Sequence, residues 1–315
     1  MRLKGRHILV TGGAGFLGSH LCEKLLWEGA RVRVLDKFTT GREDNLHRLK
    51  KQVELVNSDM ACADSVMNAA RDIDTVVHLA FPMVLRLHSI ETAIVTEALA
   101  GFMNLIKAAL ERNMLLIYIS SIAVYGNQKY VPIDENHPLE PVQVHGAVKL
   151  AEEFLCRTLA LSDGLAAVIL RPADIYGPRN TRLSVPIKFL LQAIRNEPIT
   201  VYGDGSDSRT YTYVSDFSEA VVLSMILPEA IGGIFNIGGD ECVSMCQLAC
   251  EVKKATGSGS PVVFQDSPAA GRKLIVDSLK AKKILGFKPA VPIADGLAET
   301  YRWLKQNQSY LQLLS

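Results

Sequence analysis

Three glycines, Gly12, Gly15 and Gly18, stand directly after the apolar run His7-Ile8-Leu9-Val10 and at the opening of an amphipathic stretch that begins at Phe16. This spacing suits phosphate binding. The first glycine permits a tight turn, the second lets the backbone approach a pyrophosphate, and the third allows a helix to pack closely on a strand while its N-terminus attracts the negative charge. Asp36 ends the next apolar run. A carboxylate there accepts hydrogen bonds from adenosine ribose hydroxyls and repels a 2′-phosphate, so the loop is expected to hold NAD rather than NADP, with the following Lys37 offsetting part of that repulsion. In the second half, Arg209 follows the turn Tyr202-Gly203-Asp204-Gly205. Its fixed guanidinium fork, like that of Arg272, suits bidentate pairing with a diphosphate.

These residues must be positioned by something, and the first half of the chain has the pattern of a parallel sheet covered by helices. Strands are expected at 7–10, 32–35, 53–56, 75–79, 115–120 and 166–170, with helices over 16–28, 65–70, 91–112 and 146–162 between them. The expected fold is α/β, a Rossmann doubly wound parallel sheet over residues 1–172, followed by a smaller substrate-binding domain over 173–315. Part of 215–240 is expected to return to the first domain as a helix and a last strand. Shorter helices are expected at 185–195, 215–226 and 244–256.

Composition sets outer limits. With 34 Lys and Arg against 33 Asp and Glu, there is no global field to draw the chain to nucleic acid or an anionic membrane. The basic start Met1 to His7 precedes too short an apolar run for a signal peptide, and no apolar run reads as long enough to span a bilayer. Six cysteines without a secretory signal read as reduced thiols, so a cytoplasmic location is expected. Cys242, Cys246 and Cys250 would share a face if one helix carried all three, but they lack a fourth ligand, and no metal site is expected. His78 reads as structural or cofactor-adjacent.

Several motifs in order resemble the NAD-dependent epimerase/dehydratase family of nucleotide-sugar enzymes, within the extended short-chain dehydrogenase/reductases. Thr11 to Gly18 reads TGGAGFLG, Ser120 to Gly126 reads SSIAVYG, and Leu170 to Arg179 reads LRPADIYGPR. Val77-His78-Leu79-Ala80 is similar to a strand-end motif beside the cofactor, and Asp59-Met60 to an adenine-contacting pair. The resemblance implies cofactor contacts from Gly12, Gly15, Phe16, Leu17, Gly18, Asp36, Lys37, Asp59, Met60, Leu79, Ala80, Lys149 and Pro172. It implies substrate contacts from Ser121, Asp174, Arg209 and Arg272, a UDP- or dTDP-linked sugar as substrate, and a homodimer formed through helices 91–112 and 146–162.

The resemblance also implies a catalytic centre of Ser121, Lys149 and the residue four positions before that lysine, which in the family is tyrosine. Here it is His145. Three readings stand open: His145 replaces phenolate as acid/base, the protein binds cofactor and ligand with little catalysis, or Tyr125 or Asp174 serves as base. Ile122 and Ala123 occupy the places where related dehydratases carry an acidic pair and related decarboxylases a glutamate. Ala98 and Asp174 replace two asparagines. The expected activity is that of a UDP-sugar 4-epimerase working by transient oxidation of a ring hydroxyl. The alternatives are a nucleotide-sugar dehydrogenase or ketosugar reductase, and a weakly catalytic binding protein.

Overall fold

The computed structural model describes residues 1–82, 92–267 and 271–314. Glu91, where the first long helix is expected to begin, lies outside them. The first half alternates β1 (His7–Thr11), α1 (Phe16–Trp27), β2 (Arg31–Asp36), the short α2 (Glu43–Leu46), β3 (Val53–Asn57), α3 (Ala63–Ala69), β4 (Thr75–His78), α4 (Thr92–Glu111), β5 (Leu115–Ile119), α5 (Val144–Ser162) and β6 (Ala167–Pro172). After β6 come β7 (Asp174–Tyr176), α6 (Val185–Ile194), β8 (Ile199–Tyr202), β9 (Ser208–Tyr213), α7 (Val214–Ile226), β10 (Ile234–Ile237), β11 (Cys242–Ser244), α8 (Met245–Thr256), β12 (Val262–Gln265), β13 (Lys273–Leu274), α9 (Leu279–Leu285), α10 (Ile293–Gln306) and α11 (Gln308–Leu313).

Seven parallel strands form one sheet in the order β3-β2-β1-β4-β5-β6-β10. β1, β4 and β6 are buried along their whole length, which is why they read as unbroken apolar runs rather than as alternating ones. β10 adds to β6, and α7 packs against α1, so the segment from 214 to 237 lies with this sheet. The chain leaves β1 for one side and crosses to β4 on the other. In such sheets, ligands bind outside the carboxyl ends of the strands at that reversal.

The remaining residues build a smaller unit. β9 pairs with β7 and β13 in parallel and with β11 in antiparallel, while β8 and β12 form a separate pair. Their core contains Ile187, Leu190, Val201, Leu248 and Leu297. Leu17 and Ile175 pack against both this core and that of the large sheet, so the two units meet beside the glycine loop.

Two expectations change. Cys242 lies in β11, leaving only Cys246 and Cys250 on α8, whose first turn is closed by a capping box between Ser244 and Gln247. No metal-binding cluster of His, Cys, Asp or Glu occurs among the described residues. The segment Ala93–Glu111 of α4 is long and apolar enough to cross a membrane by length and composition. Here its apolar residues Phe102, Leu105, Ile106 and Ala109 are packed in the core beside α3 and β5.

Candidate active site

At the end of β1, Gly12 takes φ +69°, and a Cβ there would lie 2.8 Å from the Ala80 amide. A Cβ at Gly18 would lie 2.2 Å from the Gly12 carbonyl oxygen, so only glycine lets α1 close on this loop. Gly15 is the N-cap of α1 and supplies no side-chain cap, and no acidic residue stands in the first turn. The free amides at Phe16, Leu17 and Gly18 therefore offer an anion-binding helix start. Gly12, Gly15, Phe16 and Leu17 remain partly accessible beside Leu79 and Ala80 at the end of β4.

Asp36, 8% exposed, accepts from the Ala14 amide at 2.9 Å and the Phe38 amide at 2.8 Å. Burial pushes its carboxyl up despite those two bonds. Its carboxylate keeps further lone pairs for ribose hydroxyls. Lys37 differs from expectation: it is bonded to Asp59 at 3.2 Å and to Glu97 on α4, two carboxylates that consume its charge. It thus does little to welcome a 2′-phosphate. Met60 packs against Gly101, and its carbonyl accepts from Asn104 at 2.9 Å. Buried Ala98 lies one turn earlier on the same helix.

The uncapped helix start, the glycine approach and the buried acid fit a dinucleotide. Gly12, Gly15 and the amides of residues 16–18 would hold its pyrophosphate, and Asp36 its adenosine ribose. Thr11 Oγ1 accepts from the Leu79 and Ala80 amides and shares a hydrogen bond with His78 Nδ1 at 2.8 Å. Burial, then Lys149, hold His78 well below its usual range, so it is a neutral structural residue. Pro172 is buried at the end of β6.

Helix α5 begins at Val144, two residues earlier than expected, which puts His145 in its first turn. A Cβ at Gly146 would lie 2.4 Å from the Ala123 carbonyl, so the glycine lets α5 close on the turn that follows Ser121. Phe81 joins the two catalytic candidates. The imidazole of His145 meets its ring edge to face with centroids 4.9 Å apart, and Lys149 Nζ sits 4.9 Å from its centroid. Burial, then the charges of Lys149 and Arg182, pull His145 down to about 4. Its position at a helix N-terminus acts in the same direction. The resting imidazole is therefore neutral, the form that can take a proton.

Lys149, 4% exposed, lies 3.4 Å from Glu152, which also accepts the Tyr118 hydroxyl at 2.5 Å. Glu153 accepts from Ser120 at 2.5 Å and from Arg171 at 2.9 and 2.6 Å. Arg171 also donates to the Tyr125 hydroxyl, which donates in turn to Asn236 at 2.7 Å. Sequence reading missed this network. The acids at i+3 and i+4 from Lys149 resemble a solvated helix face, and their partners lie far away in sequence.

Ser121 Oγ accepts from the Ala123 amide at 3.1 Å and retains its own proton for donation. Tyr125 is fully buried, both its lone pair and its proton are engaged, and burial raises its phenol to about 12. It is unsuited to act as base. Asp174 pairs with Arg209 at 2.9 Å. The two line a cavity of about 250 Å³ with Tyr176, Ser184, Val185 and Tyr211. In that cavity Asp174 is already committed to a guanidinium, whereas His145 faces Lys149. Arg272 stands apart from the cavity lining. It is exposed, its amide bonds Asp207 at 2.8 Å, and the strand it precedes pairs with β9 at Arg209.

Known proteins share this fold. The UDP-glucose 4-epimerase of Thermotoga maritima, solved with UDP-glucose, is 29% identical and superposes with a TM-score of 0.87 over 96% of this chain and 99% of that one. The UDP-glucuronic acid 4-epimerase of Bacillus cereus, solved with UDP-glucuronic acid and NAD, is 30% identical with a TM-score of 0.86, over 95% and 99% of the two chains. A UDP-N-acetyl-alpha-D-glucosaminuronate decarboxylase of Bacillus cytotoxicus is 31% identical over 96% of this chain and 98% of its own. The sequence model described as "NAD dependent epimerase/dehydratase family" matches residues 8–238. On its motifs, its sheet and this match together, the chain belongs to the NAD-dependent epimerase/dehydratase family of nucleotide-sugar-modifying enzymes.

Proposed function

We propose that this chain is a UDP-sugar 4-epimerase in which His145 exchanges the proton of a ring hydroxyl. The observation that carries the reading is the neutral imidazole and Lys149 converging on Phe81, the residue after Ala80, which abuts Gly12 of the glycine loop. NAD, when bound, supplies hydride acceptance and return. The chain's own residues supply the rest: His145 accepts the hydroxyl proton and gives it back, Ser121 donates to the sugar oxygen, and Lys149 orients the site. Arg209, partly offset by Asp174, faces a diphosphate.

Overall identity does not separate epimerase from decarboxylase, because relatives of both kinds are similar to this chain to the same degree. The side chains after Ser121 favour the epimerase. Ile122 is buried and Ala123 turns its carbonyl toward α5, so this turn offers no carboxylic acid for loss of water or carbon dioxide. Purified chain incubated with NAD and a panel of UDP- and dTDP-sugars should convert one sugar to its C4 epimer, seen by 1H NMR, without net absorbance at 340 nm. Accumulating NADH would favour a dehydrogenase, and binding without turnover a regulatory protein.

We also propose a homodimer through α4 and α5. Phe154 and Leu161, 51% and 91% exposed in one copy, lie two turns apart on one face of α5, and Met103 is exposed on the adjoining α4. Light scattering should give twice the 34.5 kDa chain mass, and a Phe154→Glu, Leu161→Glu variant should give the single mass. A monomeric wild-type chain would exclude this assembly.

A further inference from the structure

Helix α11 belongs by its packing to the smaller unit, where Leu311 and Leu314 join the core of Leu248 and Leu297. Tyr310 on the same helix also reaches the large unit. It is 3% exposed, its ring meets Trp303 edge to face at 4.6 Å, and the Arg42 guanidinium lies 5.2 Å above it. Its hydroxyl donates to Asn45 Oδ1. Asn45 in turn donates through Nδ2 to the Ala14 carbonyl at 2.7 Å, a carbonyl that also accepts the Arg42 amide at 3.0 Å. The Ala14 amide is the group that bonds Asp36 Oδ2. Gly41 completes the cradle, since a Cβ there would lie 2.8 Å from Asp36 Oδ1.

We infer that Tyr310 is a positioning residue for the dinucleotide site, setting through Asn45 and Ala14 the orientation of the carboxylate that receives the adenosine ribose. Each link is a hydrogen bond between buried or partly buried groups, and Tyr310 reaches the Asn45 side chain from outside the large sheet, while Arg179 donates to the Asn45 backbone carbonyl at 3.3 Å. An Asn45 side chain released from Tyr310 can rotate, which leaves the Ala14 carbonyl with the Arg42 amide alone and loosens the backbone at Ala14, whose own amide, in the preceding peptide unit, bonds Asp36. Asp36 would still be present but less well aimed. The inference rests on the assignment of NAD to this loop.

The test is calorimetric titration of the full-length chain and its Tyr310→Phe variant, which keeps the ring and its packing and removes only the hydroxyl. Four ligands are compared: NAD, ADP-ribose, nicotinamide mononucleotide, and a deoxy analogue of NAD that lacks both the 2′- and the 3′-hydroxyl of the adenosine ribose. The variant should bind NAD and ADP-ribose roughly 3- to 10-fold more weakly, the worth of one net hydrogen bond, and should bind the mononucleotide as wild type does. With the deoxy analogue, variant and wild type should agree within about twofold, because the ribose contact through which Tyr310 acts is already gone. A general loosening of the fold would weaken the deoxy analogue as much as NAD, and that result would overturn the inference. Unchanged NAD affinity in the variant would overturn it as well. A wild-type chain that binds neither NAD nor ADP-ribose would instead remove the cofactor assignment itself, and the inference with it.

Discussion

Replacing His145 by alanine should lower turnover about 10²- to 10⁴-fold, the usual worth of a positioned proton acceptor, while NAD still binds. Retained binding is expected because the groups proposed to hold the pyrophosphate and the adenosine ribose lie on the glycine loop, α1 and β2, whereas His145 meets Phe81. The pH dependence carries a second signature. An unperturbed histidine near 6.5 would lose about three quarters of its neutral form by pH 6. Held at about 4 by burial, Lys149 and Arg182, His145 stays neutral there, and the wild-type rate should hold level from pH 8 to pH 6. The sign for stability follows from the same shift. The native state takes up this proton less readily than the unfolded chain, so its contribution is present above 6.5 and is lost as pH falls toward 4. Steady-state rates and NAD titration of the variant across this range check both statements. A rate that survives in His145→Ala would assign the proton to another group.

Glu153→Ala should destabilise the chain by about 3–5 kcal/mol, a large share of the ~5–15 kcal/mol that keeps a domain folded. Glu153 and Arg171 are each 1% exposed and joined by two hydrogen bonds. Without the carboxylate, Arg171 keeps only the Tyr125 hydroxyl, which cannot neutralise a buried guanidinium. Ser120 loses its acceptor too, and with it the strand end that carries Ser121 into the site. Urea denaturation measures the loss. A change below about 1 kcal/mol would mean that the pair is not buried as described, because an exposed pair contributes no more than that.

Much of the architecture was legible because it is written locally. The glycine loop, the buried strands and the helix period each occupy a short window, and their boundaries shift by only one or two residues in the structure. What escaped was long-range pairing. Lys37 reads as a free cation until α4 brings Glu97 to it, and Glu152 and Glu153 read as a solvated face until β5 and β6 supply Tyr118, Ser120 and Arg171. Phe81 carries no motif, and only the closure of α5 on the sheet shows that it seats both His145 and Lys149. The contact of Tyr310 with Asn45, 265 residues apart, belongs to the same class.

Transient oxidation at C4 is tested most directly with a UDP-sugar deuterated at that carbon, incubated with the chain and NAD in ordinary water and followed by NMR and mass spectrometry. The two C4 epimers should interconvert while deuterium stays on C4, because the hydride that leaves the ring returns to it and only the hydroxyl proton passes through His145. Loss of deuterium to solvent, or an unchanged sugar in a chain that binds NAD and UDP, would contradict it.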